Sequence, residues 1–169
     1  EGGAGSISGD EIVFGVEVTQ KVPVWLRLNA IDVPGHGSSP RATTSVLRIV
    51  EALNRIKENP FEPRIIPAVD AYFSGLAVSM DDDWAQAYAD MGRAITDPEF
   101  LPALQNFRPR HHALTRDICS ITRMGGSSKI NTIPPEAWAE LDCRMLPDRP
   151  AEELIADVEA LLEGTGVNV

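Results

Sequence analysis

His36 is the side chain best placed to do chemistry. It stands in Pro34-Gly35-His36-Gly37-Ser38-Ser39-Pro40, a run of turn-forming residues, so its imidazole projects from a loop where a substrate or partner can reach it. A loop histidine taken alone is more often just solvated. Two other polar residues follow turn or strand signals. Asn131 closes Gly125-Gly126-Ser127-Ser128-Lys129-Ile130-Asn131, and Arg144 lies in Leu141-Asp142-Cys143-Arg144-Met145-Leu146-Pro147. Read from the residues alone, Asn131 shapes a turn and Arg144 pairs with Asp142 or Glu140 on a sheet surface. His111-His112 is a weaker metal candidate. Neighbouring residues point to opposite faces of a strand or sit about 100° apart on a helix, so the two rings do not easily share one ion. Asp81-Asp82-Asp83 lacks the spaced oxygen ligands and the later Glu of a calcium loop, and capping of a helix explains it more simply. Gly2-Gly3-Ala4-Gly5 has the glycines of a phosphate loop without its strand or its Lys-Ser, so it reads as a flexible lead-in. HExxH, GxSxG and Walker patterns are absent from the sequence.

The elements that must hold these residues follow from periodicity. Residues 12–32 are rich in Val, Ile, Leu and Trp. Val24, Leu26 and Leu28 alternate with Trp25, Arg27 and Asn29, which predicts a half-buried strand. Pro23 makes that run two pieces or an edge. Ser39 and Pro40 read as an N-cap and first residue of a helix running to about Glu58, with Val46, Ile49, Val50, Leu53 and Ile56 on its apolar face. Asn59-Pro60 ends it. Residues 60–116 hold six of the 13 prolines and read as an insertion of loops and short helices, with helices near Asp83–Ile95 and Pro98–Gln105. Strands follow at Asp117–Met124 and Ala137–Leu146. Pro150, Glu152 and Glu153 open a last helix with Leu154, Ile155, Val158, Leu161 and Leu162 inward, and Gly164 closes it. Val167–Val169 begins a fourth strand. Without the insertion the order is strand, helix, strand, strand, helix, strand. This predicts an α+β, ferredoxin-like two-layer sandwich: a four-stranded antiparallel sheet with two helices on one face.

The chain has 169 residues, enough for one domain with its own core. It is 43% apolar and 24% charged, a globular composition. A net charge of -10 argues against nucleic acid or an anionic membrane surface as a partner, and no stretch is long and apolar enough for a membrane span. Cys119 and Cys143 stand far apart in alternating apolar surroundings, outside any CxxC or cysteine-rich framework, and read as two buried free thiols. The location stays open, with the cytoplasm favoured by those thiols. The sequence starts at Glu1 without a Met and stops at Gly166-Val167-Asn168-Val169, so both ends read as cut.

The ordered set — Gly-His turn opening a helix, Gly125-Gly126…Asn131-Thr132-Ile133-Pro134, then Leu141-Asp142-Cys143-Arg144-Met145-Leu146-Pro147 — resembles the lid domain of a two-zinc hydrolase family. That family includes carboxypeptidase S, carboxypeptidase G, aminoacylase, acetylornithine deacetylase and succinyl-diaminopimelate desuccinylase. The resemblance covers nearly the whole chain, and the insertion at about 60–116 is most similar to the carboxypeptidase S branch. It implies a lid and dimerisation domain over 13–169, preceded by a linker remnant of the catalytic domain at 1–12. It implies a parent that holds two zinc ions in that other domain and cleaves an amide bond next to a free carboxylate in a peptide or N-acyl amino acid. His36 then reaches into the partner subunit's active site and stabilises the oxyanion. Asn131 lies near the substrate, and Arg144 binds the substrate carboxylate with its planar fork. Glu1, at the start of Glu-Gly-Gly, matches a late carboxylate metal ligand. The other ligands fall outside residues 1–169, so the chain by itself is expected to bind no zinc and to catalyse nothing, with itself (as a homodimer) and the catalytic domain as partners. Two rival readings are a free-standing ferredoxin-like module that senses a small carboxylate, marked by natural chain ends and a closed fourth strand, and a scaffold that only dimerises, with His36 idle.

Overall fold

The computed structural model describes residues 5–8, 11–14, 16–80 and 83–169, the first two ranges by their backbone only. Glu1, the proposed metal-ligand match, lies outside them, as do Asp81 and Asp82. In chain order the elements are β1 (Gly5–Ser8), β2 (Glu11–Phe14), β3 (Val22–Ile31), β4 (Gly35–His36), α1 (Ser45–Glu58), α2 (Pro67–Val78), α3 (Ala85–Ala89), α4 (Met91–Ala94), α5 (Phe100–Phe107), α6 (Pro109–His112), a 3-10 turn at Ala113–Thr115, β5 (Ile118–Gly125), β6 (Thr132–Ile133), β7 (Glu136–Met145) and α7 (Ala151–Leu162). They divide into two compact units. The sheet unit comprises Val22–Phe61, Ile118–Met145 and Arg149–Val169. The helical unit comprises Glu1–Lys21, Glu62–Asp117 and Leu146–Asp148. Among the described residues no helix is long and apolar enough to cross a membrane.

The sheet unit is built on an antiparallel sheet in the order β3-β7-β5. Strict alternation fixes its faces. Leu26, Leu28 and Ala30 of β3 and Ala137, Ala139, Leu141, Cys143 and Met145 of β7 are buried, and they meet Ile49, Ala52, Leu53 and Ile56 of α1 and Leu154, Val158 and Leu162 of α7 in one core. Truncating Leu28 or Leu141 to Ala would cost about 2–5 kcal/mol, the range for a fully buried leucine. Pro23 sits in β3 opposite Arg144, on a strand paired along its length on one side only, which is where a residue without an N–H is tolerated. Beyond β3, Asn168 forms an isolated antiparallel bridge to Asn29, with the N–H of each donating to the carbonyl of the other at 2.8 and 2.9 Å. The expected fourth strand is present as this one bridge. Gly164, at φ 79°, follows α7 in the left-handed conformation that glycine adopts without a Cβ penalty.

Three expectations change. α1 begins at Ser45, not beside Ser39-Pro40. Its N-cap is Thr44, whose hydroxyl accepts from Leu47 N–H at 3.2 Å. Residues 37–44 are kept out of the helix because Ser39 N–H turns back to the His36 carbonyl, while Arg41 and Arg48 are tied to Asp32 at 3.0 and 3.5 Å. Val46 and Val50 are 36% and 48% exposed, because the stripe Ile49, Ala52, Leu53, Ile56 already fills the contact with the sheet. Finally, Cys119 and Cys143 are joined in a disulfide. The β5–β7 register sets them directly opposite each other, a tertiary pairing that their separation in sequence does not reveal.

The helical unit has its own core of Ile66, Val69, Phe73, Tyr88, Met91, Leu104 and Leu146. Its longest helix, α2, went unforeseen, although Ile66-Pro67 carries the signal of proline in the first turn. Asp83 does not cap α3; the N-cap position belongs to Trp84 and has no side-chain cap bond. Arg64 donates to Asp148 at both carboxylate oxygens (2.8 Å each) and to Asp117 at 2.9 Å, and Asp117 also accepts from Leu146 N–H at 2.7 Å. Together these bonds fasten the two ends of the segment.

Candidate functional site

His36 lies in the two-residue ribbon β4–β6, directly opposite Thr132, and Gly37 N–H donates to the Asn131 carbonyl at 2.9 Å. The ribbon grows out of the end of the main sheet, where Asp32 N–H donates to the Pro135 carbonyl at 2.8 Å. Buried Ser45, the first residue of α1, donates its hydroxyl to the Pro134 carbonyl at 2.8 Å. The Gly-His turn and the Asn131–Pro134 segment are thus one folded piece. Asp32 anchors its base: Val33 N–H binds its carboxylate at 2.7 Å, and Arg41 bonds both that carboxylate and the Val33 carbonyl. The Val33 N–H, with Arg41 and Arg48 beside it, holds the Asp32 carboxyl below the ordinary carboxylate range.

The ring of His36 is exposed and oriented. Ser38 N–H donates to Nδ1 at 3.2 Å, and the Ser38 hydroxyl lies 2.8 Å from the same atom. Ser38 N–H is a donor only, so Nδ1 accepts in that bond. Nε2 is 3.5 Å from the side-chain nitrogen of Asn131. The fold therefore brings together two of the residues that the sequence singled out. Such a pair, fixed in advance by the backbone, is suited to stabilising developing negative charge. Ile130, next to Asn131, is fully exposed.

Arg144 stands elsewhere. It is on the outward face of β7, opposite Pro23 and Ile118, and its Nε and Nη2 fork onto Asp142 at 2.8 and 3.0 Å. The rest of the guanidinium stays available, with the side chain 42% exposed. Glu140 does not pair with it; that carboxylate accepts from Arg27 at 2.9 Å and Arg123 at 2.8 Å. The nine residues of β7 from Glu136 to Arg144 span about 26 Å at the rise of an extended strand. Arg144 and His36 thus lie toward opposite ends of the sheet.

The outward face also holds residues that sequence reasoning passed over. Arg27 lies 4.4 Å and Arg123 5.5 Å from the centre of the Trp138 ring, and Trp138 packs over Gly125. Trp25 is 78% exposed. The only signal available beforehand was that Trp25 and Trp138 occupy outward positions of the alternation.

His111 and His112 form no joint ligand pair. His111 Nδ1 is 2.5 Å from the hydroxyl of Tyr88 and its Nε2 is 3.4 Å from that of Tyr72. Burial first, then Arg108, lowers the pKa of His111. Burial first, then Arg116 and Lys21, lowers that of His112. Among the described residues no group of three or more His, Cys, Asp and Glu side chains comes together to hold a metal ion.

Comparison with known proteins identifies the family of this domain. Residues 18–169 match the family model of the peptidase dimerisation domain. Among curated proteins, the probable carboxypeptidase S-like 2 of Dictyostelium discoideum is 22% identical over 158 residues, 93% of this chain and 30% of that protein. The N-fatty-acyl-amino acid synthase/hydrolase PM20D1 of Xenopus tropicalis is 26% identical over 157 residues, 91% of this chain and 30% of that protein. The chain thus spans about 30% of the length of these relatives. Among solved structures, the M20 family metallo-carboxypeptidase Sso-CP2 of Sulfolobus solfataricus aligns with a TM-score of 0.49 at 15% identity, covering 88% of this chain and 41% of that one. Human carnosine dipeptidase 1 aligns at 0.48 and 12% identity, covering 90% and 36%. With its family model matched from residue 18 to residue 169, this chain belongs to the peptidase dimerisation domain family.

Proposed function

We propose that this chain is the lid and dimerisation unit of a two-zinc peptidase or N-acyl amino acid amidohydrolase, and that it acts in a parent that hydrolyses an amide bond next to a free carboxylate. The carrying observation is the separation of His36 with Asn131 from Arg144. In a dimer the two ends serve different active sites: Arg144 holds the substrate carboxylate in its own subunit's site, and His36 reaches its partner's site to stabilise the oxyanion. The zinc ligands are assigned to the catalytic domain of the parent, as the resemblance implies, and this chain contributes binding, orientation and hydrogen-bond donors. The free-standing sensor finds no support in the family match, which is to a domain that pairs peptidase subunits.

Several features support pairing. β5 is paired along one side only, and an unpaired strand edge is a template for a second chain. On its helix-side positions Ile121 and Met124 are 46% and 58% exposed, and Val46, Leu47 and Val50 of α1 are exposed too. A Cβ built on Gly126, just beyond β5, would lie 3.6 Å from Val46, so the strand end and the helix form one apolar surface of the kind that marks an interface. We further propose a ferredoxin-like four-stranded sheet in which the segment at Asn168 takes the place beside β3, a lid spanning 13–169 with its insertion at about 60–116, and an oxidising compartment for the parent, which the Cys119–Cys143 bridge supports.

Sedimentation equilibrium tests the pairing. The expected result is a dimer that forms with or without zinc and that Ile121→Asp converts to monomer. A monomer at every concentration would sink the dimer role of this chain, and assembly that requires zinc would show that the metal ligands have been misassigned.

A further inference from the structure

The geometry points to a selectivity subsite on the bare face of the sheet: a shallow depression walled by Trp25, next to Arg144, which receives a bulky apolar group carried on the carbon that bears the substrate's carboxylate. This inference rests on the proposed role of Arg144. Alternation places Trp25 and Arg27 of β3 and Glu140, Asp142 and Arg144 of β7 on the face turned away from α1 and α7. There Trp25, Arg27, Thr122, Glu140 and Asp142 surround a depression of about 410 Å³, within the size range of small-molecule sites.

Register makes the connection to Arg144. Trp25 is directly opposite Asp142, the carboxylate that holds the fork of Arg144, and Pro23 is directly opposite Arg144 itself. Trp25 and Arg144 are therefore diagonal neighbours across the strand pair, roughly 7–8 Å apart along the backbone and within reach of an aromatic and a long side chain. A carboxylate taken by the remaining N–H groups of Arg144 puts the next carbon, and whatever it carries, toward the indole.

Charge decides what kind of group fits. Arg27 and Arg123 share Glu140 at 2.9 and 2.8 Å, and Arg144 holds Asp142 at 2.8 Å, so every charged group of the walls is already in an ion pair. The large surface left without a partner is the indole of Trp25, 78% exposed. An apolar or aromatic side chain gains by covering it, whereas a glycine-sized group leaves it in water.

The test uses the full-length parent that carries this domain, with N-acylphenylalanine and N-acylglycine sharing one acyl chain. The readout is the ratio of their kcat/KM values. Trp25→Ala is expected to lower the phenylalanine-to-glycine ratio about 10- to 100-fold, the range for losing apolar contact in a pocket, and Trp25→Phe to recover most of it. A ratio unchanged in Trp25→Ala overturns the subsite, including the case in which both substrates lose equally because Trp25 only packs against another part of the parent. Arg144→Ala is expected to depress both substrates. If it leaves both unchanged, the reading of Arg144 fails, and the subsite fails with it at that earlier step. Thermal melting of each variant identifies any that does not fold, and Trp25→Phe then carries the ratio measurement.

Discussion

Gly125→Ala tests whether the Gly-Gly pair of the lid motif is required by packing. Gly125 is directly opposite Trp138 in the β5–β7 register, and a Cβ there would meet Cζ2 at 2.7 Å and Cε2 at 2.8 Å. Real Cβ atoms do not approach this closely, so the indole must move. It is held in place by Arg27 and Arg123, 4.4 and 5.5 Å from the ring centre, and both arginines are tied to Glu140. Overpacking of this kind costs about 1–3 kcal/mol, and each exposed cation–π contact disturbed adds about 0.5–1 kcal/mol. The backbone offsets part of this: Gly125 is not among the glycines with positive φ, and alanine restricts the unfolded chain, which stabilises by about 0.4–1 kcal/mol. The net expectation is a loss of about 1–4.5 kcal/mol, read as a lower midpoint in urea with the slope unchanged. Combining Gly125→Ala with Trp138→Leu should remove most of the penalty. A loss under about 0.5 kcal/mol, or strictly additive effects in the double variant, would refute the packing account.

Other outcomes follow from the same structure. Reducing the Cys119–Cys143 disulfide, which closes a separation of 24 residues, should cost about 3 kcal/mol on the loop-entropy account, so the Tm should fall in reductant for the wild type but not for a Cys119→Ser, Cys143→Ser variant. His36→Ala in the parent should lower kcat about 10²- to 10³-fold, as for loss of an oxyanion donor, with KM changed little; normal turnover would leave His36 without a catalytic part. The folded pKa values of His111 and His112 lie below their ordinary value. The unfolded chain therefore takes up protons first as pH falls through about 6.5, and stability that is full above that pH declines below it. The Tm should drop between pH 7.5 and 5.5, and replacing both histidines with Asn should flatten that slope.

Periodicity carried the parts of the fold where burial repeats. β5, β7 and α7 appear within a residue or two of where alternation or helical spacing puts them, and β3 takes Val22–Ile31 out of the apolar run 12–32, because each has one face in a single core. The start of α1 was misplaced because Ser39-Pro40 is locally as good an opening as Thr44-Ser45, and the choice is made by Asp32 holding Arg41 and Arg48. The disulfide was invisible for a similar reason: it depends on which residues of two distant strands stand opposite, and a bulge between Ile121 and Arg123 shifts even that register. In the site, His36 and Asn131 were singled out separately. Nothing in their spacing shows that β4 and β6 pair and bring the two side chains to 3.5 Å.

The position of Arg144 gives the proposed dimer its strongest physical argument. An enzyme gains from a donor such as His36 only if the donor sits within hydrogen-bond reach of the charge that develops, while the carboxylate anchor fixes the other end of the same small molecule. Within this chain Arg144 lies near one end of β7 and the His36 ribbon adjoins the other, and the strand from Glu136 to Arg144 is about 26 Å long, several times the length of a dipeptide's reacting portion. β7 is the central strand, paired on both sides and buried on alternate residues from Ala137 to Met145, so it does not bend to close that gap. The donor must then come from elsewhere, and a second copy supplies one without any further residue being invented. On this argument activity should depend on protein concentration in any variant that weakens the pairing surface. Adding an inactive His36→Ala subunit to an inactive Arg144→Ala subunit should restore turnover at one of the two sites of the mixed dimer, since one site then holds both an intact Arg144 and an intact His36. Failure to restore any activity, with mixed dimers shown to form, would mean that His36 and Arg144 do not meet across subunits.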